Sequence, residues 1–234
     1  MQTNKIYLGD CLDLITELPD GSVDAVITDP PYHQGLTHNG QKTTLADLNI
    51  CKPFFKQLLK EIYRILKQDG FLYWFCDWRS YPFYYSLINE NIPIKNLLIW
   101  DKTGRPCQCY GFTYEQIIFA PKGKCNITKQ SIIKLSGFSH SARKSDGAKV
   151  HPTQKPIKLI SELICDCTAE GGLVLDCFGG SCTTAVASIY NRRNFICFEL
   201  QEQYFEIGNK RIAEAMQGLN VISEELKGSN LFIK

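Results

Sequence analysis

The chain has 234 residues, of which 44% are hydrophobic and 21% charged, and its formal net charge is +2. These values are ordinary for a soluble protein, and the length suits one α/β domain with one sizeable core. No apolar run is long enough to span a bilayer and the first residues lack the apolar core of a signal peptide, so we expect a cytoplasmic protein without a membrane partner. The 11 cysteines include no Cys-x-x-Cys pair, so we expect reduced, buried thiols and no metal.

The hydrophobic pattern predicts strands that alternate with amphipathic helices. The predicted strands are 5–8, 23–28, 71–76, 94–100, 114–120, 173–176 and 194–198, and the predicted helices are 11–18, 53–66, 81–89, 157–168, 182–190 and 204–217. A turn at 68–70 is predicted to end the second helix before the next strand begins. An open α/β sheet carries its chemistry at the carboxyl ends of its strands, so the residues that follow the strands are the candidates for a site.

The first candidate is Asp29-Pro30-Pro31-Tyr32, which directly follows the apolar strand 23–28. Asp29 offers only acceptors, and the two prolines have carbonyl groups but no N–H groups. Tyr32 adds a flat ring. An aromatic face beside convergent acceptors suits a planar heterocycle with an exocyclic amine, which in a polynucleotide means a base swung out of its stack. Taken alone, the stretch is equally compatible with a strand followed by a Pro-Pro turn.

Two polar stretches without strong periodicity follow further along the chain. Residues 33–49 are polar and contain glycine, which is typical of an active-site loop. Residues 122–158 contain nine basic residues and one acidic residue, so this segment carries +8 and the remainder of the chain −6. A basic segment on an acidic protein favours a polyanion-binding surface, although a solvated lysine-rich loop has the same composition.

The second candidate site lies between Asp176 and Glu199. A strand ending at Asp176, the glycine-containing loop 177–181, a helix, and a strand ending before Glu199 form one βαβ unit. An acid about 20 residues past such a loop is placed to bind both hydroxyls of a ribose. The loop lacks the glycine spacing for a pyrophosphate and the Gly-Lys pair for a triphosphate, so a ribonucleoside without phosphates fits better. A structural turn of a βαβ unit is the alternative.

With both stretches in hand, the sequence resembles the S-adenosylmethionine-dependent DNA amino-methyltransferases, in the permuted order that places the catalytic motif before the cofactor motif. Residues 29–32 match the Asp-Pro-Pro-Tyr motif of that family, and residues 176–184 resemble its Asp-Pro-Phe-x-Gly-Ser-Gly-Thr-Thr loop. Cys177 and Cys182 replace the proline and the last glycine of that loop. Residues 9–10, 24, 151–156 and 199–211 are also similar to family positions, so the resemblance covers most of the chain.

The resemblance implies a Rossmann-like α/β fold, with a seven-stranded mixed sheet in which the strand ending at residue 120 is antiparallel and with helices on both faces. It implies a single methyltransferase domain over 1–234, with 122–150 as a basic insertion that recognises the target. The implied cofactor is S-adenosyl-L-methionine and the implied partner is double-stranded DNA. A homodimer and a cognate restriction endonuclease that acts separately are left open.

The resemblance also assigns roles to residues. Asp29, Pro30, Pro31 and Tyr32 would be catalytic. Asp176, Phe178 and Gly180 would line the methionine and ribose of the cofactor, Glu199 the ribose diol, and Asp10 and Cys11 the adenine edge. Thr153, Gln154 and Lys155 would close the site, and the other residues assigned to the cofactor are Asp29, Gly179, Ser181, Thr183 and Leu200. The basic residues expected to bind DNA are Lys122, Lys124, Lys129, Lys134, Arg143, Lys144 and Lys149.

The aspartate of the catalytic motif favours the N6 amine of a flipped-out adenine in a specific sequence, because the cytosine-N4 enzymes of the family more often have serine there. Asp29 and the Pro30 carbonyl would hold the two amine hydrogens while the amine attacks the methyl group directly. Cytosine-N4 methylation, an RNA substrate, and a non-catalytic nucleic-acid-binding subunit with the same fold remain alternatives.

Overall fold

The computed structural model describes residues 1–31, 37–38, 41–42, 48–102, 110–111, 113–135 and 154–229, with side chains up to residue 218 and none described at 37–42. The helices are α1 (Cys11–Ile15), α2 (Lys52–Ile65), α3 (Tyr81–Asn89), α4 (Ile157–Cys167), α5 (Thr183–Tyr190) and α6 (Glu202–Ser229). The strands are β1 (Lys5–Leu8), β2 (Val23–Thr28), β3 (Thr37–His38), β4 (Gln41–Lys42), β5 (Leu66–Cys76), β6 (Asn96–Asp101), β7 (Tyr114–Pro121), β8 (Ile132–Lys134), β9 (Leu173–Asp176) and β10 (Asn194–Glu199).

Eight of these strands form one sheet in the order β1-β10-β9-β2-β5-β7-β6-β8, and β3 and β4 form a separate antiparallel pair. Only β7 runs against its neighbours in the large sheet, as predicted for the strand near residue 120. The predicted mixed α/β sheet is therefore confirmed, but its strand count of seven is one too low. The additional strand, β8, is a three-residue edge strand within the basic segment, too short to show an alternating pattern.

The start of β5 is a second difference from the prediction. Residues 68–70, predicted to form a turn, lie within β5, which follows α2 without a break. The pairing of β2 with β5 shifts here, because Val23 pairs with Leu66 and Ala25 already with Phe71. The extra residues form a bulge, which the local letters Gln-Asp-Gly do not distinguish from a turn.

The sheet is covered by helices on both faces. Along β2 the side chains alternate, so that Val26 packs on a cluster that contains Leu58 of α2, whereas Ala25 and Ile27 pack on a cluster that contains Leu159 of α4. A third cluster joins α5 and α6 to β1 and β10. Both faces of the central strands are thus covered by apolar side chains, so polar chemistry is expected at the carboxyl edge of the sheet. No helix in the described ranges has the length and apolar character to cross a membrane.

Candidate active site

The predicted acids meet at one edge of the sheet. Strands β10, β9 and β2 are parallel neighbours. Glu199 ends β10, Asp176 ends β9, and Asp29 follows the last residue of β2. A direct hydrogen bond joins the two motifs, because the Thr28 hydroxyl donates to Asp176 Oδ1 over 2.9 Å. The stretch around Asp29 and the βαβ unit around Glu199 therefore form one site.

The two oxygens of Asp29 differ in their surroundings. Lys155 Nζ donates to Oδ2 over 2.5 Å. The other oxygen, Oδ1, is buried and has no hydrogen-bond partner within the described part of the chain. Burial raises the pKa of Asp29; Lys155 opposes this rise, the Glu115 carboxylate adds to it, and the net pKa is raised. One acceptor is thus held by a cation and the other is left for a donor that the described residues do not supply.

Two residues that the sequence reasoning missed complete this group of charges. Glu115, near the start of β7, places Oε2 3.2 Å from Lys155 Nζ and binds Lys102 through Oε1. Burial alone would raise the pKa of Glu115, but the two lysines outweigh it and lower that pKa. The sequence signal for Glu115 was an acidic residue near the start of the largely apolar strand 114–120. The sequence-based role of Lys155 was to close the cofactor site, whereas its ammonium group lies against Asp29.

The Pro-Pro pair is fixed by a third residue that was not singled out from the sequence, Tyr84 of α3. Its hydroxyl donates to the Pro31 carbonyl over 2.9 Å, and its ring is fully buried against Phe55 and Trp74. This contact uses the Pro31 carbonyl as an acceptor, and the role of the Pro30 carbonyl stays a prediction. Tyr32, predicted to stack on the base, lies outside the described residues.

Asp176 is occupied by contacts within the protein. Besides Thr28, the Thr184 hydroxyl donates to Oδ2 over 2.7 Å and the Phe178 amide to Oδ1 over 3.1 Å. Burial raises the pKa of Asp176 to about 6, although these donors lower it. Asp176 therefore holds the loop that follows β9 and joins it to β2. Thr28 and Thr184 had not been singled out from the sequence.

Glu199 has the arrangement expected of a ribose ligand. Gly180 donates its amide to Oε2 and Gln201 donates its amide to Oε1, both over 2.7 Å. Each carboxylate oxygen keeps a further lone pair. A Cβ atom at Gly179 would lie 3.1 Å from the Phe198 carbonyl oxygen, so only glycine lets the loop lie against β10. The residues present thus fit a nucleoside diol at this strand end.

Comparison with known proteins identifies the family. The model of the N6/N4 methyltransferase family, described as DNA methylase, matches residues 23–210. The chain belongs to the N6/N4 DNA methylase family. YubD of Escherichia coli (strain K12) is 30% identical over 218 residues, covering 92% of this chain and 93% of YubD. The DNA adenine methyltransferase YhdJ of the same organism is 28% identical over 246 residues, covering 90% of this chain and 83% of YhdJ.

A solved structure agrees with these matches. The crystal structure of the M1.HpyAVI–SAM complex is 28% identical, with a TM-score of 0.66, and the match covers 89% of this chain and 98% of that one. The predicted family is thereby confirmed, and with it S-adenosylmethionine as the cofactor and the class of DNA methyltransferases.

The other residues predicted to bind the cofactor of this methylase surround the same edge. Asp10 accepts the Leu12 amide and caps α1, where Cys11 is buried. Ser181 and Thr183 are buried beneath Arg211, which donates to both, whereas Leu200 is exposed. Phe178 is half-buried near Phe54, and Gln154 is buried. Thr153 lies outside the described residues. Cofactor contact by these residues stays a prediction.

The predicted DNA-binding lysines of the methylase lie at two different edges. Lys122 and Lys124 follow Pro121, which pairs with Phe71 in the middle of β5, whereas Asp29 lies beside the carboxyl end of β5. Lys122 Nζ donates to the carbonyls of Tyr63 and Leu66, and Lys129 pairs with Asp166.

The exposed Lys134 lies beside Asp101 in the parallel register of β8 and β6. Asp101 ends β6, so Lys134 lies on the edge of the sheet that carries the site. Arg143, Lys144 and Lys149 lie outside the described residues. DNA contact by these residues likewise stays a prediction.

Proposed function

We propose that the protein transfers a methyl group from S-adenosylmethionine to the N6 amine of an adenine that is flipped out of double-stranded DNA, at a specific sequence. The observation that carries the proposal is the buried Asp29 Oδ1, which has no hydrogen-bond partner among the described residues. A buried acceptor without a donor is unfavourable unless a ligand supplies one. An exocyclic amine brings two N–H donors, and the Pro30 carbonyl stands beside Asp29 for the second.

The chain's own residues act by position and charge. When bound, S-adenosylmethionine supplies an electrophilic methyl group. Asp29 and the Pro30 carbonyl accept the two amine hydrogens, so that the nitrogen lone pair is directed away from them and towards the cofactor edge. Glu199 and the loop after β9 hold the cofactor at the ends of β10 and β9, the next two strands of the sheet beside β2, and Tyr32 stacks on the base. Fixed positions of both reactants provide much of the acceleration.

Adenine is the base that the residues favour. The chain has aspartate at the first position of the motif, and the relative YhdJ is named a DNA adenine methyltransferase. Cytosine also presents an exocyclic amine, so the geometry of Asp29 and Pro30 supports the amino group more strongly than it supports the ring.

The DNA surface is proposed at the carboxyl edge of the sheet, beside Lys134 of β8. Lys134 stands at this edge, and the described chain re-enters the site at Gln154 and Lys155. Phosphate contacts from Lys134, Arg143, Lys144 and Lys149 would hold the duplex over Asp29.

Incubation of the purified protein with duplex DNA and S-adenosylmethionine, followed by nucleoside digestion and mass spectrometry, tests the proposal. We expect N6-methyladenine, confined to one sequence motif when the product is sequenced. Asp29→Ala should lower the rate about 10²- to 10³-fold or more, because an aligned acceptor is lost, and should leave cofactor binding within a few-fold of wild type.

The matched control is Asp20→Ala, which removes an exposed carboxylate paired with Arg64 and should retain the wild-type rate. N4-methylcytosine as the product would contradict the assignment of the base. Wild-type activity of Asp29→Ala would contradict the assignment of the site.

A further inference from the structure

We propose that Lys155 is a positioning residue for the reaction: it holds Asp29 Oδ2, keeps the carboxylate ionised, and so leaves Oδ1 as the acceptor for the target amine. The inference rests on the proposed function, because it concerns the same Asp29. It differs from the sequence-based expectation that Lys155 contacts the cofactor.

The position of Lys155 is determined from three sides. Its Nζ lies 2.5 Å from Asp29 Oδ2, 3.2 Å from Glu115 Oε2, and 5.2 Å from the centre of the Phe75 ring. The side chain is 7% exposed. A lysine this buried is costly unless carboxylates accept its charge, so its contacts with Asp29 and Glu115 are the reason that it remains there.

The same geometry makes the ionisation of Asp29 depend on Lys155. Glu115 is a second carboxylate beside the same ammonium group, and Lys102 binds its other oxygen. Without Lys155, Asp29 would face Glu115 in a buried site, where like charges disfavour ionisation. Protonation would change Asp29 from an acceptor into a donor and remove its use towards an amine.

The other titratable groups near Asp29 are acidic, so, like Glu115, they disfavour its ionised form. The carboxylate of Asp176 on β9 and the ionisable groups of Cys76, at the end of β5, and Tyr84, on α3, each interact with Asp29. None of these three is a cation. Of the described neighbours, Lys155 is therefore the cation in direct contact with the catalytic carboxylate, and Lys102 acts from behind Glu115.

Single-turnover methylation rates between pH 5 and 9 test the inference, because they isolate the chemical step. In the wild type, we expect the rate to fall at low pH as Asp29 becomes protonated. Lys155→Met should move this acidic limb upwards by about 1 to 3 pH units, the usual effect of removing an adjacent opposite charge. Glu115→Gln should move it downwards, because Asp29 then loses a like charge while Lys155 stays.

Opposite shifts from the two variants separate this role from a merely structural one, which would lower activity at every pH. Lys56→Met is the matched control, since Lys56 is an exposed residue of α2 paired with Glu90, and its pH profile should equal that of the wild type. Calorimetric titration with S-adenosylmethionine should give Lys155→Met an affinity within about threefold of wild type.

An unshifted acidic limb in both variants, in a wild type that methylates adenine, would overturn the inference alone. A large loss of cofactor affinity with an unshifted limb would restore the cofactor role of Lys155. A wild type that methylates no DNA would overturn the proposed function first. Should Lys155→Met fail to fold, the direction of the Glu115→Gln shift decides.

Discussion

Three of the acids at the carboxyl edge, Asp29, Asp176 and Glu199, are each held by a different kind of partner. Asp29 is held by an ammonium group, Asp176 by two hydroxyl groups and an amide, and Glu199 by two amides. Hydroxyl and amide donors compensate a buried charge less completely than a cation does. Because Asp176 is buried and its described partners are uncharged, its ionisation should lower the stability of the fold.

The ionisation of Asp176 should make the free energy of unfolding depend on pH. The pKa of Asp176 is about 6 in the folded protein, against roughly 4 in the unfolded chain. Because the native state holds the proton more tightly, its stability decreases as pH rises from about 4 to 6, and the full penalty is present above that range. Asp176→Asn should remove the penalty, and its amide can donate to the Thr184 hydroxyl, which also accepts.

Urea unfolding at pH 4 and pH 7 measures the effect. Relative to Asp176→Asn, the wild type should lose roughly 2 kcal/mol between these two pH values. Asp29 titrates in both proteins, so its contribution cancels except for its interaction with the charge of Asp176. A difference that is independent of pH would mean that Asp176 has an ordinary pKa in the folded protein.

The positions of these acids could be predicted from the sequence, whereas their partners could not. An acid after an apolar strand is a local signal. The contact between Thr28 and Asp176 joins residues 148 positions apart, and that between Asp29 and Lys155 spans 126. Sheet order decides such contacts, and no local pattern encodes it.

At the scale of elements, the basic segment 122–150 divides into two parts with different roles. Its first residues leave β7 at the edge opposite the site, where Lys122 binds two carbonyls at the end of α2 and lies 4.4 Å from the centre of the Tyr63 ring. Cations at a helix carboxyl end stabilise it. Lys134 ends β8 at the site edge and is exposed. Substitution of Lys122 should therefore lower stability, whereas substitution of Lys134 should weaken DNA binding.

Lys122→Met should reduce the free energy of unfolding by about 1 to 2 kcal/mol, because two carbonyls lose their donor, and should leave DNA affinity unchanged. Lys134→Ala should do the reverse: stability should change by less than about 0.5 kcal/mol. DNA affinity should fall, and the salt dependence of log K should decrease by about one. Chemical denaturation and DNA titrations at several salt concentrations provide both readouts, and each variant serves as the control for the other.

A lower salt dependence for Lys122→Met would instead place DNA at the amino edge. The amino-acid composition alone could not reveal this division, because the seven basic residues of 122–150 indicate a single surface until the strand directions are known. The helix α3 was predicted with the bounds observed, and the other five helices were predicted with different bounds, since a repeated apolar spacing marks a helix more clearly than its ends. The short strand β8 and the bulge in β5 carry no such spacing.

At the scale of the whole molecule, the site is assembled from distant parts of the chain. Strands β1 and β2 come from its beginning and β9 and β10 from its end, yet they lie in the order β1-β10-β9-β2. The Gly9 amide donates to the Glu199 carbonyl over 2.9 Å, so the turn after β1 is fixed to the end of β10. The proposed cofactor half of the site is therefore fixed to residues near the start of the chain, and cofactor binding there should stabilise the entire fold.

This coupling is measurable through Glu199. S-adenosylmethionine at 100 times its dissociation constant should raise the free energy of unfolding of the wild type by about 2.7 kcal/mol. Glu199→Gln loses the charge that accepts both ribose hydroxyls, so its dissociation constant should rise about 10- to 100-fold. At the same cofactor concentration a 100-fold weaker variant would gain only about 0.4 kcal/mol. Each variant is compared with its own cofactor-free form, which removes any change in intrinsic stability.

Glu202→Gln is the matched control, because Glu202 is an exposed residue in the first turn of α6, three positions further along. It should keep the full gain in stability, and so should Asp29→Ala, whose change lies in the half of the site that faces the base. A full gain in Glu199→Gln would show that the ribose is bound elsewhere. Loss of the gain in Asp29→Ala would show that the two halves are not separable, because cofactor binding would then depend on the carboxylate assigned to the target amine.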